Sequence, residues 1–262
     1  NFCRDRGWHN AKHYNSQVQN QGIGYYFTEQ ALKNGNKVAV LDLETDNLEI
    51  LERSYPNRLL YYKTDVCKEM QIRTAIADII EKFQKVDIVI HNACLCSFDK
   101  EADTDFSTYE RVFDVNYYGA LRLVKSILPY MQKQKNGKVI FTSSGVGVTG
   151  FIGISPYAST KGALEALAKC LNLEYASDGI SFHIIHPPLT RTKSAEPLPV
   201  PKEFMADPKK VGYGIANHIS SRHFILCHNF LQKVQTLTCY LFPIKMGRLM
   251  SKMALRYIGN KQ

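Results

Sequence analysis

Short apolar runs alternate with longer amphipathic stretches along most of the chain. The apolar runs, which predict buried strands, are residues 37–42, 87–92, 138–143 and 180–185. The amphipathic stretches predict helices near residues 24–34, 68–84, 107–133 and 157–177. Short buried strands separated by helices are typical of a parallel sheet covered on both faces. The pattern therefore predicts one domain with a doubly wound, Rossmann-like α/β fold.

The first 21 residues do not follow this pattern. A buried apolar strand normally precedes the first helix of a doubly wound sheet, but residues 11–21 are polar on both faces. The first strand is therefore expected to be atypical or missing. We expect an atypical segment over residues 1–21, the α/β domain over 22–220 and a C-terminal extension over 221–262.

The composition is that of an ordinary globular protein. Of the 262 residues, 45% are hydrophobic and 22% are charged, which excludes a disordered or collagen-like chain. No apolar run is long enough to span a bilayer, and no signal peptide is recognisable at the N-terminus. The seven cysteines are scattered without zinc-site spacing, so we expect reduced thiols in a cytoplasmic protein, and no metal site.

The net charge of +9 arises entirely from the C-terminal part of the chain. No acidic residue follows Asp207, whereas nine of the 33 lysines and arginines do. After Pro243, an apolar and a basic stripe are predicted on two faces of one helix. The apolar residues are Met246, Leu249, Met250, Met253 and Tyr257, and the basic ones are Lys245, Arg248, Lys252 and Arg256. This pattern fits either peripheral binding of an anionic intracellular membrane through residues 243–258, or a helix docked on its own domain or on a dimer mate. Nucleic acid is not expected, because no recognised binding motif accompanies the charge.

A dinucleotide site is indicated near the start of the α/β domain. Gly22, Ile23 and Gly24 open a predicted helix, and the next predicted strand ends at Asp42. Glycines let the backbone approach a pyrophosphate, and the helix N-terminus offers N–H groups to it. An acid in the position of Asp42 accepts hydrogen bonds from ribose hydroxyls and repels a 2′-phosphate. NAD is therefore expected rather than NADP.

Acid–base chemistry is indicated by Tyr157 and Lys161, which lie one turn apart on a predicted helix. A phenol, whose reference pKa is about 10, is a poor base unless a cation such as a lysine favours its ionised form. Tyr257 and Lys261 have the same spacing. Only the first pair follows a serine at the end of a predicted strand, Ser144, whose hydroxyl can bond the same substrate oxygen.

These motifs, in this order, resemble the short-chain dehydrogenase/reductase family over roughly residues 22–220. Gly22, Ile23 and Gly24 resemble the end of its glycine motif, and Asp42 its NAD-selecting acid. The resemblance extends to the adenine-contacting pair (Asp65, Val66), the segment after the fourth strand (Asn92, Ala93), the catalytic residues (Asn116, Ser144, Tyr157, Lys161) and the segment at the nicotinamide end (Pro187, Thr192).

The resemblance implies interconversion of a secondary alcohol and a ketone by an NAD(P)-dependent oxidoreductase. Tyr157 would act as general acid/base, Lys161 would favour its phenolate and hold the nicotinamide ribose, and Ser144 would polarise the substrate oxygen. Asn116 would support a water that relays protons from Lys161. Family members often form homo-oligomers through helices like those predicted over 107–133 and 157–177.

Three glycines of the family pattern are absent. Val18, Cys94 and Pro188 stand in their places. One interpretation is that residues 1–21 are not the family's native start. The other is a cofactor-deficient, non-catalytic protein that retains the fold as an interaction or membrane-surface module.

Two further expectations concern the surroundings of this site. Apolar residues in the loop before Asp207 favour a lipophilic substrate such as a sterol, a retinoid or a keto-lipid. These residues are Leu198, Val200, Phe204 and Met205. Glu165, one turn beyond Lys161, could pair with that lysine, but a solvated surface acid is the expectation.

Overall fold

A computed structural model describes residues 7–12, 22–198 and 200–259. It contains one seven-stranded sheet in which every pairing is parallel, in the order β3-β2-β1-β4-β5-β6-β7. The strands are β1 (Gly7–Lys12), β2 (Lys37–Asp42), β3 (Leu59–Lys63), β4 (Ile88–His91), β5 (Gly137–Thr142), β6 (Ile180–Ile185) and β7 (Ile225–Leu226). The doubly wound α/β class is thus confirmed, and the strand order reverses direction at β1.

The first strand is present but atypical, so of the two expected alternatives only the missing strand was wrong. Gly7–Lys12 lies in the centre of the sheet, where Trp8 pairs with Val38 on one side and with Ile88 on the other. Backbone pairing with both neighbours explains how a segment without an apolar run becomes a central strand. Residues 13–21, which include Val18, lie outside the described residues.

Helices cover the sheet and connect its strands. They are α1 (Ile23–Lys33), α2 (Glu49–Ser54), α3 (Glu69–Phe83), α4 (Phe106–Phe113), α5 (Gly119–Gln134), α6 (Val146–Thr149), α7 (Ser155–Glu174), α8 (Pro208–His218), α9 (Phe230–Leu241) and α10 (Pro243–Gly259). The long helix predicted over 107–133 is interrupted by a π-turn at Asp114–Tyr118. A π-turn inside a helix often marks a functional position.

Alternating side chains of the strands supply a core on each face of the sheet. In β5, Val139 and Phe141 belong to one core, which also contains Leu123 from α5. Ile140 belongs to the other, together with Phe27 from α1. Burial on both faces explains why these strands read as continuous apolar runs.

The C-terminal part forms two further helices, of which α10 is docked on the domain. A Cβ added to Gly247 would collide with the carbonyl oxygen of Thr149, so glycine permits the close approach of α10 to α6. Leu249 and Met253 nevertheless remain about half exposed, at 53% and 52%. Both alternatives for this helix therefore stay open, because only part of its apolar surface is covered. Within the described residues, no helix has the length and apolar character needed to cross a membrane.

Candidate active site

A cavity of about 530 Å³ opens at the carboxyl ends of the strands. Seven of the predicted site residues line it: Ile23, Asn92, Ser144, Tyr157, Lys161, Pro187 and Thr192. The other seven are not part of its lining: Gly22, Gly24, Asp42, Asp65, Val66, Ala93 and Asn116. Doubly wound folds bind ligands at this edge of the sheet. The cavity is therefore the candidate active site.

Tyr157 and Lys161 enter the cavity from one face of α7. The Lys161 ammonium lies 5.3 Å from the centre of the Tyr157 ring and donates a 2.7 Å hydrogen bond to the carbonyl oxygen of Thr142. Its side chain is only 1% exposed. A Cβ on Gly147 would lie 2.8 Å from that of Lys161, so glycine lets α6 pack directly against this turn of α7. The ammonium is thus fixed beside the phenol.

Ser144 follows the last residue of β5 by two positions and lines the same cavity. The backbone N–H of Val146 lies 3.5 Å from its hydroxyl oxygen, a long hydrogen bond at the start of α6. The hydroxyl therefore has capacity for a stronger partner in the cavity. Ser144, Tyr157 and Lys161 come together as the sequence predicted, although their roles stay predictions.

Asn116 lies in the π-turn, fully buried, and its side chain contacts the segment that follows β4. Its carbonyl oxygen accepts a 2.7 Å hydrogen bond from the N–H of Leu95, and its amide donates to the Leu95 carbonyl oxygen at 3.0 Å. The amide also donates to the Thr160 hydroxyl at 3.0 Å. The side-chain amide thus holds the segment after β4 in place. Because these bonds occupy the amide, the predicted relay water would bind the backbone of Asn116 instead.

Glu165 is buried, so the expectation of a solvated surface acid was wrong. It is 4% exposed, and Ser143 donates to Oε1 at 2.9 Å while Tyr240 donates to Oε2 at 2.7 Å. Nε2 of His186 lies 3.2 Å from Oε1. These four residues connect the end of β5, α7, the end of β6 and α9 directly behind the cavity.

The partners of Glu165 stabilise its ionised form. Burial alone would raise the pKa of this carboxyl, but hydrogen bonding and the charge interaction with His186, followed by the bonds from Tyr240 and Ser143, lower it. Burial, and then the hydrogen bond to Glu165, raise the pKa of the Tyr240 phenol. The carboxylate therefore remains an acceptor at neutral pH. One signal could have revealed it, because Tyr157, Lys161 and Glu165 recur every four residues on one helix face.

The predicted cofactor residues nearer α1 form a separate group. Gly22 is the N-cap of α1, and Asp42, the last residue of β2, is buried. Asp65 accepts a 2.9 Å hydrogen bond from the backbone N–H of Cys67. The side chains of Val66 and Ala93 are packed in the core, so only their backbone atoms could contact a ligand.

Apolar side chains make up most of the remaining lining. They include Phe98, Phe151, Ile154, Leu189, Leu198, Val200, Phe204, Met250 and Met253. Three of the four loop residues that suggested a lipophilic substrate thus line the cavity, and Met205 does not. Cys94 and Pro188, which replace family glycines, also line it. Among the described residues, no three histidine, cysteine or acidic side chains converge as a metal-binding group.

Fold and cavity together define a doubly wound α/β protein with a serine–tyrosine–lysine site at its sheet edge. A family model described as short chain dehydrogenase matches residues 19–202. The chain belongs to the short-chain dehydrogenase family.

Characterised relatives are oxidoreductases by name. The chain is 30% identical to 2-(R)-hydroxypropyl-CoM dehydrogenase from Xanthobacter autotrophicus, over 65% of this chain and 71% of the relative. It is 26% identical to 3-oxoacyl-[acyl-carrier-protein] reductase FabG from Thermotoga maritima, over 68% and 74%. It is 28% identical to 3-ketodihydrosphingosine reductase from Bos taurus, over 65% and 54%.

Solved structures have the same fold. A short-chain dehydrogenase from Streptomyces avermitilis superposes with a TM-score of 0.77 at 24% identity, covering 96% of this chain and 98% of that one. NAD⁺-bound xylitol dehydrogenase gives a TM-score of 0.72 at 19% identity, covering 83% and 93%. The chain therefore belongs to a family of oxidoreductases by sequence and shares the fold of these structures.

Proposed function

We propose that the protein is an NAD-dependent oxidoreductase that interconverts a secondary alcohol and a ketone. The observation that carries the proposal is the meeting of Ser144, Tyr157 and Lys161 in one cavity. Tyr157 donates a proton to the ketone oxygen, or takes it from the alcohol. The Lys161 cation beside the phenol favours the ionised form that this exchange requires. Ser144 donates a hydrogen bond to the same substrate oxygen.

The residues present fit a nicotinamide dinucleotide. Ile23, from the first turn of α1, lines the same cavity as Tyr157 and Lys161, so a ligand can extend from the helix N-terminus to the acid–base pair. Lys161 and Thr192 would hold the nicotinamide end, and Asp42 the adenosine ribose. When bound, the cofactor supplies or accepts the hydride. The structures described as NAD⁺-bound xylitol dehydrogenase and as ElxO with NADP bound support a nicotinamide cofactor.

A lipophilic substrate is part of the proposal. It is supported by the apolar lining from Leu198, Val200 and Phe204, and by Met250 and Met253 of α10. Two relatives are named for ketone-bearing substrates, 3-ketodihydrosphingosine and 3-oxoacyl groups. A chain-like or ring-like apolar ketone would place its oxygen at Tyr157 and bury its hydrocarbon part against these side chains.

A homologous series of methyl ketones tests this function. We expect NADH oxidation, followed by absorbance, with kcat/KM rising about threefold to fourfold per added methylene until the cavity is filled, because each buried methylene contributes about 0.8 kcal/mol. Turnover that is independent of chain length would contradict the lipophilic substrate. Absence of turnover with every ketone and every secondary alcohol would instead favour the non-catalytic alternative.

Peripheral binding to an anionic membrane surface is also proposed, through α9 and α10. Phe230 and Leu231 are 79% and 75% exposed, and further exposed apolar residues are Val234, Leu237, Leu241, Ile244, Leu249 and Leu255. The exposed lysines and arginines of these helices include Lys233, Lys245, Arg248 and Lys252. Exposed apolar side chains accompanied by cations, without a single acid, favour an interface of lipid and anionic headgroups. Both helices also line the cavity, which would admit a substrate from the lipid side.

Sedimentation with vesicles of anionic lipid tests the surface. Replacing Lys245, Arg248 and Lys252 by Gln is expected to weaken binding about 100-fold, at about 1 kcal/mol per cation near the surface. Raising the salt concentration should weaken wild-type binding as well. A matched variant replaces three exposed lysines outside α5, α7, α9 and α10 (Lys63, Lys68 and Lys100) by Gln and should bind like wild type. Equal recovery in the supernatant with and without vesicles at low salt would contradict the proposal.

We also propose that the protein is a homo-oligomer built through the π-turn that carries Tyr118 and the helix α7 that carries Leu173. These side chains are 48% and 80% exposed, so a second copy can cover their apolar area. Analytical ultracentrifugation tests this assembly. We expect a multiple of the protomer mass, and the mass of a single protomer would contradict the proposal.

A further inference from the structure

Two cysteines face the candidate active site from the segment after β4. Cys94 and Cys96 both line the cavity, and their sulfur atoms are 3.6 Å apart, within hydrogen-bond distance for thiols. Cys94 occupies the position of a family glycine, so the thiol is an addition to the usual cavity lining. Neither sulfur has a part in the proton transfer proposed for Tyr157.

The segment is built so that both thiols stay on the cavity side. Asn116 binds both the N–H and the carbonyl oxygen of Leu95, the residue between the two cysteines. The side chains on either side of Leu95, those of Cys94 and Cys96, both line the cavity. Fixing the backbone of Leu95 therefore fixes the separation of the two sulfur atoms.

The surroundings give the two thiols different reactivity. The hydrogen bond with Cys96 lowers the pKa of Cys94, against the effect of burial, and the Lys161 charge and a hydrogen bond with Tyr157 lower it further. The same bond, followed by burial, raises the pKa of Cys96. We therefore expect Cys94 to act as the nucleophile and Cys96 to stay protonated.

We propose that Cys94 and Cys96 form a reversible dithiol–disulfide site that is oxidised by hydroperoxides entering the cavity. The Cys94 thiolate attacks the outer oxygen of the hydroperoxide, the O–O bond breaks, and an alcohol leaves with a proton. The resulting sulfenic acid is attacked by the Cys96 sulfur. The S–O bond breaks, and water leaves with the thiol proton. Two thiols and one hydroperoxide thereby give one disulfide, one alcohol and one water.

The apolar lining favours an organic hydroperoxide over hydrogen peroxide, because apolar side chains such as Phe98 and Ile154 line the same cavity as the thiols. Disulfide formation takes the Cys94 sulfur out of the hydrogen bond with Tyr157 and alters the cavity beside Ser144. Oxidation itself is independent of the proposed dehydrogenase activity. The two can therefore fail separately.

Mass spectrometry of the folded protein tests the site. Trypsin releases residues 86–100 as one peptide that contains both cysteines and no other. After cumene hydroperoxide treatment and blocking of the remaining thiols, this peptide is expected to lose about 2 Da by disulfide formation and to recover with dithiothreitol. We expect it to be oxidised at least about tenfold faster than Cys170, an exposed thiol on α7.

Three variants separate the roles of the thiols. Cys96→Ser should give a sulfenic acid at Cys94 that dimedone traps, without the 2 Da loss. Cys94→Ser should leave residues 86–100 unmodified at the same dose, and Cys170→Ser should behave like wild type. Oxidation of the 86–100 peptide no faster than that of Cys170 in wild type would overturn the proposal. Equal oxidation rates for folded and urea-unfolded wild type would overturn it as well, because the fold would then not contribute to the reactivity of the thiols.

Discussion

Replacing Tyr157 by Phe is expected to lower turnover by a factor of about 10² to 10⁴ while the protein stays folded. The change removes one hydroxyl from a side chain that lines the cavity beside the Lys161 ammonium. Without it, no group in the assigned geometry exchanges a proton with the substrate oxygen. The aromatic ring itself is retained. The measurement is kcat for the best ketone of the methyl ketone series, with NADH affinity measured in parallel.

The affinity for NADH should change little in this variant, because Lys161 and Thr192 are the residues proposed to hold the nicotinamide end. Tyr130→Phe is a matched control, since Tyr130 is a half-buried tyrosine of α5 outside the cavity lining. Its kcat should equal that of wild type. If Tyr157→Phe retained wild-type turnover, Tyr157 would not be the general acid/base.

Glu165→Ala is expected to lower the free energy of unfolding by about 3 to 5 kcal/mol. The carboxylate binds Ser143, Tyr240 and His186, and its removal takes away an acceptor that all three share in a largely buried network. The loss corresponds to a melting temperature lower by about 10 °C for a chain of this size. Urea titration of wild type and variant measures the difference directly.

Glu174→Ala provides the matched control, because Glu174 is an exposed acid on the same helix. It should unfold at nearly the wild-type urea concentration. Equal midpoints for Glu165→Ala and Glu174→Ala would show that the buried network contributes nothing.

The pH dependence of this contribution has a definite sign. The pKa of Glu165 is lowered in the folded protein, so its stabilisation is present above the ordinary glutamate pKa of about 4.3. It is lost as the pH falls through the lower, folded-state pKa. The difference in stability between wild type and Glu165→Ala should therefore shrink on acidification. A difference that grew as the pH fell would contradict the assignment of the carboxylate as a charged acceptor.

The parallel strands could be predicted because burial on both faces leaves a plain apolar signature. β2 and β6 have the bounds that the sequence predicted, because nearly all of their residues are buried. β1 lacks this signature and was not found, because its place depends on backbone pairing with β2 and β4. Short edge strands such as β7 offer too few residues for a pattern.

That Ser144, Tyr157 and Lys161 share one cavity could be predicted for a different reason, because the motifs follow one another in the order of the family. The residues that support this site were harder to predict from the sequence. Tyr240 reaches Glu165 across 75 residues of sequence, a contact that no local pattern encodes. The role of Asn116 as a clamp on Leu95 likewise depends on how α4, the π-turn and β4 pack. Contacts of this kind are decided by the fold, so they become visible only in three dimensions.

Fluorescence titration of NADH with the purified protein tests the central claim, that this cavity is a nicotinamide site. We expect saturable enhancement, and weaker binding of NADPH because Asp42 would repel its extra phosphate. Absence of binding up to millimolar NADH would contradict a nicotinamide site in this cavity.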